Sequence, residues 1–394
     1  MSPPKHRFGP RDIKTLGAII ATVTVTGITY GLTLPLLSII IERRGYDGWV
    51  NGLFAAMPAI ALVIFTPFIP RILGKVPVIG FLITCLAAIG LSLVALRLYD
   101  NLAFWFAVRF LMGAAAAGTF TVSETWINEI APDAIRGRVM GIYSALLSLG
   151  FAVGIIALRF TGTEGWPPFL AGIVMLAIAS APLYFAAGHL PKIGGRPSMN
   201  LIQYILIAPA AAATGLIFGA LEIGAFALLP PYGMRLGLAE AAAAQLLAIV
   251  AIGEIFLQVP IGWMADRVDR RLLLLTSASV GMIGALILPF AFATPIILYP
   301  TLFLWGGFVV GLYAVGLTLI GERFRGPDLA GANAAYITLY GIGALIGPPA
   351  MGWSMDYWYP HGLAGSIAVT CLILIIVVGA RILYRRSTNR KTGS

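Results

Sequence analysis

Charged side chains are scarce in this sequence. Only 11% of its 394 residues are Asp, Glu, Lys or Arg, whereas 59% are hydrophobic, and the mean hydropathy is +0.92. A water-soluble chain of this length would be expected to form two or three domains with charged surfaces. The scarcity of charge excludes that class and indicates a protein that is surrounded by lipid.

Cysteine and histidine are scarce as well. Cys85 and Cys371 both lie inside apolar runs, so the sequence has no disulfide framework. His6, His189 and His361 are far apart, and none has a His or Cys neighbour at the spacing of a zinc site. We therefore expect neither a metal nor an organic cofactor.

The net charge of +10 comes from 26 basic and 16 acidic residues. Nucleic-acid-binding chains carry such charge in a basic patch interleaved with aromatic residues, and no such block stands apart from the apolar runs here. The sequence therefore predicts no nucleic-acid partner, and membrane topology explains the positive charge better.

Twelve apolar runs alternate with short polar links, and each is close to the length of about 20 residues that a spanning helix needs. They are Leu16–Ile41, Trp49–Ile69, Val76–Leu96, Leu102–Ser123, Val139–Leu158, Pro167–Gly188, Ile205–Leu229, Ala239–Ala265, Leu272–Ala293, Pro295–Ile320, Ala330–Trp353 and Leu363–Leu383. The sequence thus predicts an all-α integral membrane protein with twelve transmembrane helices. We expect a six-helix half over 1–188, a cytoplasmic linker over 189–204, and a second six-helix half with a basic tail over 205–394.

The distribution of Lys and Arg predicts the orientation, because cytoplasmic loops carry an excess of both. With the N-terminus inside, 20 of the 26 basic residues fall in cytoplasmic segments. Arg43, Arg44, Arg97, Arg159 and Arg235 fall outside, and Arg109 lies within the fourth span. Both termini are therefore predicted to be cytoplasmic, in a multi-pass protein of the cell inner (plasma) membrane.

The two predicted halves resemble one another. A shift of 193 residues aligns seven identical pairs: Phe110 with Phe303, Gly113 with Gly306, Gly118 with Gly311, Glu129 with Glu322, Tyr143 with Tyr336, Gly150 with Gly343, and Gly154 with Gly347. A shift of 192 aligns Gly27, Arg43 and Gly45 with Gly219, Arg235 and Gly237. A parallel repeat of this kind indicates pseudo-two-fold symmetry about the membrane normal, with a site near the midplane.

Two acidic residues, Glu222 and Glu254, lie well inside the seventh and eighth apolar runs. Insertion of a central acid costs on the order of 2.5–3.5 kcal/mol, so such a residue usually has a role or a partner. A carboxylate that alternates between apolar and aqueous surroundings can carry a proton. Gln258, four residues after Glu254, shares its helical face. The alternative is a structural carboxylate that is held by hydrogen bonds or by Arg109.

Arg109 is the one basic residue deep within a predicted span. Three roles stay open for it: binding an anionic group of the substrate, tuning a carboxylate, or forming a fixed salt bridge between helices.

Hydroxyl-bearing residues line one face of the first span. Thr22, Thr26, Thr29 and Thr33 recur at helical spacing, and Tyr30 adjoins them. This face lines either a cavity or a helix–helix contact, since a threonine hydroxyl can bond to its own backbone.

The stretch Gly262-Trp-Met-Ala-Asp266-Arg267-Val-Asp-Arg270-Arg271 resembles the signature that the major facilitator superfamily carries between the second and third helix of a half. The resemblance extends from Leu16 to about Leu383. By this resemblance Asp266 and the arginines latch the cytoplasmic ends of neighbouring helices. In the first half the corresponding segment, Pro67 to Lys75, lacks the Asp.

Other motifs extend the resemblance. Arg109-Phe-Leu-Met-Gly113 is similar to a superfamily motif linked to proton coupling, with Met112 in place of the usual Gln. The segment from Ser123 to Glu129, followed by Arg136-Gly137-Arg138, is similar to the YcaD-like branch. Glu129 and Glu322 lie at cytoplasmic helix ends near Arg136, Arg138 and Arg323, where we expect gating or helix-end pairs. These residues and the Gly262–Arg271 stretch make up the predicted cytoplasmic gate.

We therefore expect a monomeric secondary transporter that moves a small molecule by alternating access and that couples this movement to protons. An uncoupled facilitator and an exporter of lipids or amphipathic compounds are the alternatives. A membrane receptor or enzyme is less favoured, because the sequence has neither a signalling domain nor a catalytic constellation. The expected partners are the substrate, protons and membrane lipids.

Overall fold

The computed structural model describes residues 10–130, 133–184, 201–265, 267–324 and 326–392. Within these ranges the chain is helical and contains no β-strand. The helices are α1 (Pro10–Arg43), α2 (Gly48–Phe65), α3 (Ile69–Leu73), α4 (Val78–Leu98), α5 (Leu102–Ile130), α6 (Asp133–Thr161), α7 (Pro167–Tyr184), α8 (Leu201–Ile207), α9 (Pro209–Arg235), α10 (Glu240–Ala265), α11 (Arg270–Ala291), α12 (Pro295–Arg323), α13 (Gly326–Tyr357) and α14 (Gly362–Thr392).

Across the described residues, 10 helices are long and apolar enough to cross a membrane. Two shorter apolar helices, Ala145–Thr161 within α6 and Pro167–Ile178 within α7, occupy the positions of the fifth and sixth predicted spans. Helices are expected here because lipid offers no hydrogen-bond partner to backbone N–H and C=O groups. The predicted all-α membrane fold is confirmed, and the count of twelve spans stays a prediction.

Prolines divide two of the predicted spans. The run predicted over Trp49–Ile69 forms α2, a 3-10 turn over Thr66–Phe68 and the short α3. The start of the seventh run is part of α8, which begins in the predicted linker at Leu201, and α9 starts anew at Pro209. A proline is favoured in the first turn of a helix because the N–H that it lacks would have no helical partner there.

The chain folds into two compact units that do not follow the order of the sequence. The first unit comprises residues 1–33 and 60–194, and the second comprises residues 34–59 and 195–394. The end of α1 and most of α2 thus belong to the second unit. Both boundaries lie within two residues of an in-helix proline, Pro35 in α1 and Pro58 in α2. The boundaries predicted from the sequence stay predictions, and residues 185–200, which hold most of the predicted linker, lie outside the described ranges.

In the first unit, glycines bring α1 against α6. A β-carbon built on Gly150 would overlap the backbone oxygen of Thr24, and one built on Gly27 would lie 2.8 Å from the backbone oxygen of Leu147. Only a hydrogen in place of a side chain permits two helix backbones to approach this closely.

In the second unit, glycines bring α9 against α13 in the same way. A β-carbon on Gly343 would overlap the backbone oxygen of Leu216, and one on Gly219 would overlap that of Tyr340. The internal repeat aligns Gly343 with Gly150 and Gly219 with Gly27. The two units therefore use the same kind of helix contact at positions that the repeat predicts to be equivalent.

Large apolar side chains remain on the surface of both units. Leu91 and Ile178 in the first unit, and Phe256 and Phe290 in the second, are all about two-thirds exposed or more. A surface of this kind is rare on proteins that face water. It is expected for helices whose outer faces contact lipid.

Candidate functional site

Glu222 on α9 and Glu254 on α10 form an acidic pair inside membrane-spanning helices of the second unit. The two carboxyl groups are close enough to interact electrostatically, and both side chains are partly exposed. The hydroxyl of Tyr340 on α13 donates a hydrogen bond of 2.6 Å to Oε2 of Glu222. Among the described residues, neither carboxyl group forms an ion pair with a basic side chain. A negative charge on either group would therefore have no basic partner within this part of the chain.

Aromatic rings from three helices lie beside this pair. The ring centroid of Tyr313 is 5.2 Å from that of Phe218, 5.4 Å from that of Tyr336 and 6.3 Å from that of Tyr340. Phe218 and Tyr336 are buried, whereas Tyr313 and Tyr340 are partly exposed. We call Glu222, Glu254 and these four aromatic residues the acidic–aromatic cluster.

Helical spacing and close helix packing assemble this cluster. Phe218 and Glu222 are four residues apart on α9, and Tyr336 and Tyr340 are four apart on α13, so each pair shares one helical face. Gly219 lets the backbone of α13 approach α9 at Tyr340. Since Gly219 lies one turn before Glu222, this contact brings the Tyr340 side chain within reach of the Glu222 carboxylate.

Gln258, the third polar residue that the sequence predicts in this region, follows Glu254 by four residues on α10 and is partly exposed. No hydrogen bond joins its amide to another described residue. It thus lies on the helix of Glu254 without being held in the cluster.

Arg109 lies in the first unit and is 1% exposed. Its Nη1 donates a hydrogen bond of 3.3 Å to Oγ1 of Thr33, and its guanidinium carbon is 5.1 Å from the centroid of the Tyr30 ring. The Tyr30 hydroxyl is buried and has no hydrogen-bond partner in the described ranges. The structure therefore brings together three of the predicted site residues, Arg109, Tyr30 and Thr33, within this unit.

The other threonines on this face of α1 form hydrogen bonds within their own helix. Thr22, Thr26 and Thr29 are fully buried, and the hydroxyl of each donates to the backbone oxygen four residues earlier, over 2.8 to 2.9 Å. Thr33 makes the same kind of bond, to Thr29. This geometry favours helix packing over a cavity lining for Thr22, Thr26 and Thr29.

The predicted cytoplasmic gate is described in part. Arg270 Nη1 lies 2.5 Å from Oε1 of Glu322, which joins α11 to the end of α12. The guanidinium carbon of Arg267 is 3.7 Å from the centroid of the Trp263 ring.

The rest of this predicted gate contributes local contacts. Asp269 caps α11 by accepting a 2.8 Å hydrogen bond from the backbone N–H of Arg271, and Arg323 donates to the backbone oxygen of Ile207. Gly262 lies in α10 with open space where a β-carbon would point. Asp266 and the side chains of Glu129, Arg136 and Arg138 lie outside the described residues.

A network of charged residues that the sequence analysis missed lies at the opposite end of the second unit. Arg235, at the end of α9, forms a two-pronged pair with Glu42 of α1, over 2.6 and 3.1 Å, and a pair with Asp356 of α13 over 2.7 Å. Asp356 also accepts hydrogen bonds from the backbone N–H groups of Gly48 and Trp49. These bonds tie the α1–α2 turn to α9 and α13.

A second ion pair, between Arg43 and Glu240, joins α1 to the start of α10. We call Glu42, Arg43, Arg235, Glu240 and Asp356 the outer network, after the side of the membrane that the positive-inside rule predicts for it. The alignment of Arg43 with Arg235 in the internal repeat was the one signal that pointed to these positions. It did not reveal their partners, because those are 121 to 197 residues distant in the chain.

Comparison with known sequences decides the family. The sequence model described as Major Facilitator Superfamily matches residues 19–254 and 212–394, which together cover most of the chain. The chain belongs to the major facilitator superfamily.

Relatives within the superfamily align with most of this chain. The "Uncharacterized MFS-type transporter YfkF" of Bacillus subtilis is 26% identical over 363 residues, which cover 89% of this chain and 91% of YfkF. The "Uncharacterized MFS-type transporter YcaD" of Escherichia fergusonii is 24% identical over 278 residues, 70% of this chain and 71% of that protein. The predicted resemblance to the superfamily and to its YcaD-like branch is confirmed.

Solved structures of transporters have the same fold. A bacterial homologue of the human lysosomal transporter Spinster aligns with a TM-score of 0.75 at 15% identity, over 96% of this chain and 97% of the other. A D-xylose-proton symporter also gives 0.75 at 15% identity, over 92% and 96%. At these identities the likeness concerns the fold alone. As a member of this superfamily, the chain is a multi-pass membrane transporter and not an enzyme.

Proposed function

We propose that this chain is a secondary transporter that couples the movement of a small molecule to protons, with Glu222 and Glu254 as the groups that bind the proton. The acidic pair carries this proposal. Both carboxyl groups lie on membrane-spanning helices, both are partly exposed, and neither has a basic ion-pair partner among the described residues. Since an intramembrane acid costs on the order of 2.5–3.5 kcal/mol, its retention without a counter-charge favours a functional role.

The proposed coupling follows from the surroundings of the pair. A carboxylate that meets water at one stage of transport and apolar groups at another binds and releases a proton between these stages. The two carboxyl groups interact electrostatically, so a proton bound by one affects the other. The other titratable groups that interact with them are Tyr336 and Tyr340, with Tyr313 beside both. A tyrosine in water titrates only near pH 10, so we assign the proton to the carboxyl groups and not to these hydroxyls.

The proposal includes alternating access by a monomer in the cell inner membrane, with both termini cytoplasmic. Ion pairs at the cytoplasmic helix ends, such as Arg270–Glu322, would open and close during the cycle. The residues that we assign to this cytoplasmic gate are Gly262, Asp266, Arg267, Arg270, Arg271, Glu129, Arg136, Arg138, Glu322 and Arg323.

The first test needs no substrate. Infrared difference spectra of the purified protein, recorded between about pH 5 and about pH 8, report the protonation of carboxyl groups. We expect a protonation signal that decreases in Glu222→Gln and in Glu254→Gln and that is unchanged in Glu164→Gln, which alters an exposed acid between α6 and α7. A spectrum that both cluster variants leave unchanged would remove the acidic pair as the proton site.

A second test separates a coupled transporter from an uncoupled facilitator. A thermal-shift screen of metabolites, drugs and lipids identifies a ligand, since binding to the folded state raises the melting temperature. Counterflow of that ligand is then measured in liposomes with an internal pH dye. Coupling predicts proton flux that depends on Glu222 and Glu254. Counterflow that ignores an imposed pH gradient would support the facilitator instead.

A further inference from the structure

The acidic–aromatic cluster has the two kinds of group that recognise an organic cation. Two partly exposed rings, Tyr313 and Tyr340, meet at an interplanar angle of 71° with their centroids 6.3 Å apart, so that they form a corner. Phe218 and Tyr336 are buried and support this corner, with centroids 5.2 Å and 5.4 Å from that of Tyr313. The face of an aromatic ring attracts a cation through the electrostatic field of its π-electrons.

The carboxyl groups supply the charge for such a ligand. One oxygen of Glu222 accepts the hydrogen bond from Tyr340, and Glu254 has no hydrogen bond or ion pair to any described residue. Both are partly exposed and can therefore be reached by a ligand. A hydrated inorganic cation fits this setting poorly, because Ca²⁺ and Mg²⁺ prefer six or more oxygen ligands. No group of three or more metal-ligating side chains occurs among the described residues.

We propose that the acidic–aromatic cluster binds an organic ammonium cation, whose alkyl groups contact the rings of Tyr313 and Tyr340 and whose charge is neutralised by Glu254 and Glu222. This substrate class deepens the proposed transport function and rests on it. An alkylammonium group suits the site because its charge is spread over apolar methyl groups that can contact an aromatic face without losing hydrogen bonds.

The proposal makes the cation and the proton competitors. A carboxyl group that carries a proton no longer neutralises a cation, so protonation weakens cation binding and the cation in turn weakens proton binding by the same factor. Affinity for the cation is therefore expected to rise with pH and to level off once both carboxyl groups are ionised. This pH dependence requires no knowledge of the natural substrate.

The decisive experiment uses the unaltered protein and a matched pair of probes. Calorimetric titration in detergent at about pH 8 compares benzyltrimethylammonium with its neutral carbon isostere, in which a tert-butyl group replaces the trimethylammonium group. The two probes have the same shape and differ in charge. We expect the cation to bind about tenfold or more tightly than the isostere. Equal affinities, or binding of neither probe, would overturn the proposal.

Variants assign the binding to the cluster. Tyr313→Leu should weaken binding of the cation by about 3- to 30-fold through loss of a ring face, and Tyr313→Phe should restore much of this loss. Glu254→Gln should weaken it about tenfold or more and reduce its pH dependence to the part that Glu222 contributes. Tyr299→Leu, on the same helix α12 but near its exposed end, serves as the control. Equal effects of Tyr313→Leu and Tyr299→Leu would refute the role of the ring corner.

The two proposals can fail separately. If the carboxyl pair titrates in the infrared experiment but neither probe binds, proton coupling stands and the organic-cation substrate is wrong. If the cation binds with the expected pH dependence while proton flux is unchanged in both Gln variants, the binding site stands and coupled transport is wrong. A gel-filtration profile that matches the unaltered protein ensures that each variant tested is folded.

Discussion

Replacement of Arg235 by Met should loosen the second unit at the α1–α2 turn. The guanidinium group makes three hydrogen bonds to carboxylates, two to Glu42 and one to Asp356. Met has a comparable length but no charge, so Arg235→Met leaves both carboxylates without this partner. The effect should be local, because Asp356 also holds the backbone N–H groups of Gly48 and Trp49.

The exposure of these side chains determines how much stability Arg235→Met should cost. A solvent-exposed ion pair contributes about 0.2–1 kcal/mol, whereas removal of one partner from a buried pair costs about 3–5 kcal/mol. The side chains of Arg235, Glu42 and Asp356 are 20%, 13% and 23% exposed, which is between these limits. We therefore expect Arg235→Met to lower the free energy of unfolding by about 2–4 kcal/mol, or the melting temperature by roughly 4–8 °C.

A double-mutant cycle with Asp356→Asn measures the coupling between the two side chains. We expect a coupling energy of about 1–2 kcal/mol and faster hydrogen exchange at the amides of Gly48 and Trp49 in either single variant. Arg159→Met, at an exposed arginine near the end of α6, is the matched control. It should show no coupling to Asp356→Asn and no change in hydrogen exchange at these amides. A coupling energy near zero, together with unchanged exchange at these amides, would refute the reasoning.

Three further predictions concern packing, capping and an exposed ion pair. Gly343→Ala should destabilise the protein by about 1–3 kcal/mol because its β-carbon would overlap α9. Gly379→Ala, whose β-carbon meets open space, should not destabilise it. Equal melting temperatures of the two variants would contradict this prediction. Asp269→Ala should cost about 0.5–2 kcal/mol by removing the cap of α11, and Asp269→Ser should recover much of it in the same melting assay. Glu322→Gln should cost only about 0.2–1 kcal/mol, because its pair with Arg270 is exposed, and a larger loss would show that this pair holds α11 to α12 in the folded state.

The sequence predicted the membrane class and the positions of most helices because apolar length is a local property. It could not place the breaks at Pro209 and within Thr66–Phe68, since prolines also occur inside α1, α2 and α10 without ending them. Whether a proline ends a helix depends on the neighbours that can satisfy the freed backbone groups, and these neighbours are known only from the fold.

The candidate site was predictable in its charges and not in its aromatic residues. A Glu within an apolar run is conspicuous, so Glu222 and Glu254 could be chosen from the sequence alone. Tyr313 and Tyr340 lie on two other helices and are ordinary residues in a membrane protein. Their role depends on the close approach of α9 and α13 at Gly219, which is a tertiary contact.

The prolines inside α1 and α2 make these helices easier to bend at defined positions. Residues of each helix belong to both compact units, so any displacement of one unit against the other would bend these helices. A regular α-helix resists such stress because every turn is closed by hydrogen bonds. Pro35 and Pro58 remove the bonds to the carbonyl groups of Gly31 and Phe54, and each helix is therefore most compliant within a turn of the place where it passes from one unit to the other. The first two helices thus bend most easily near Pro35 and Pro58, where each passes from one unit to the other.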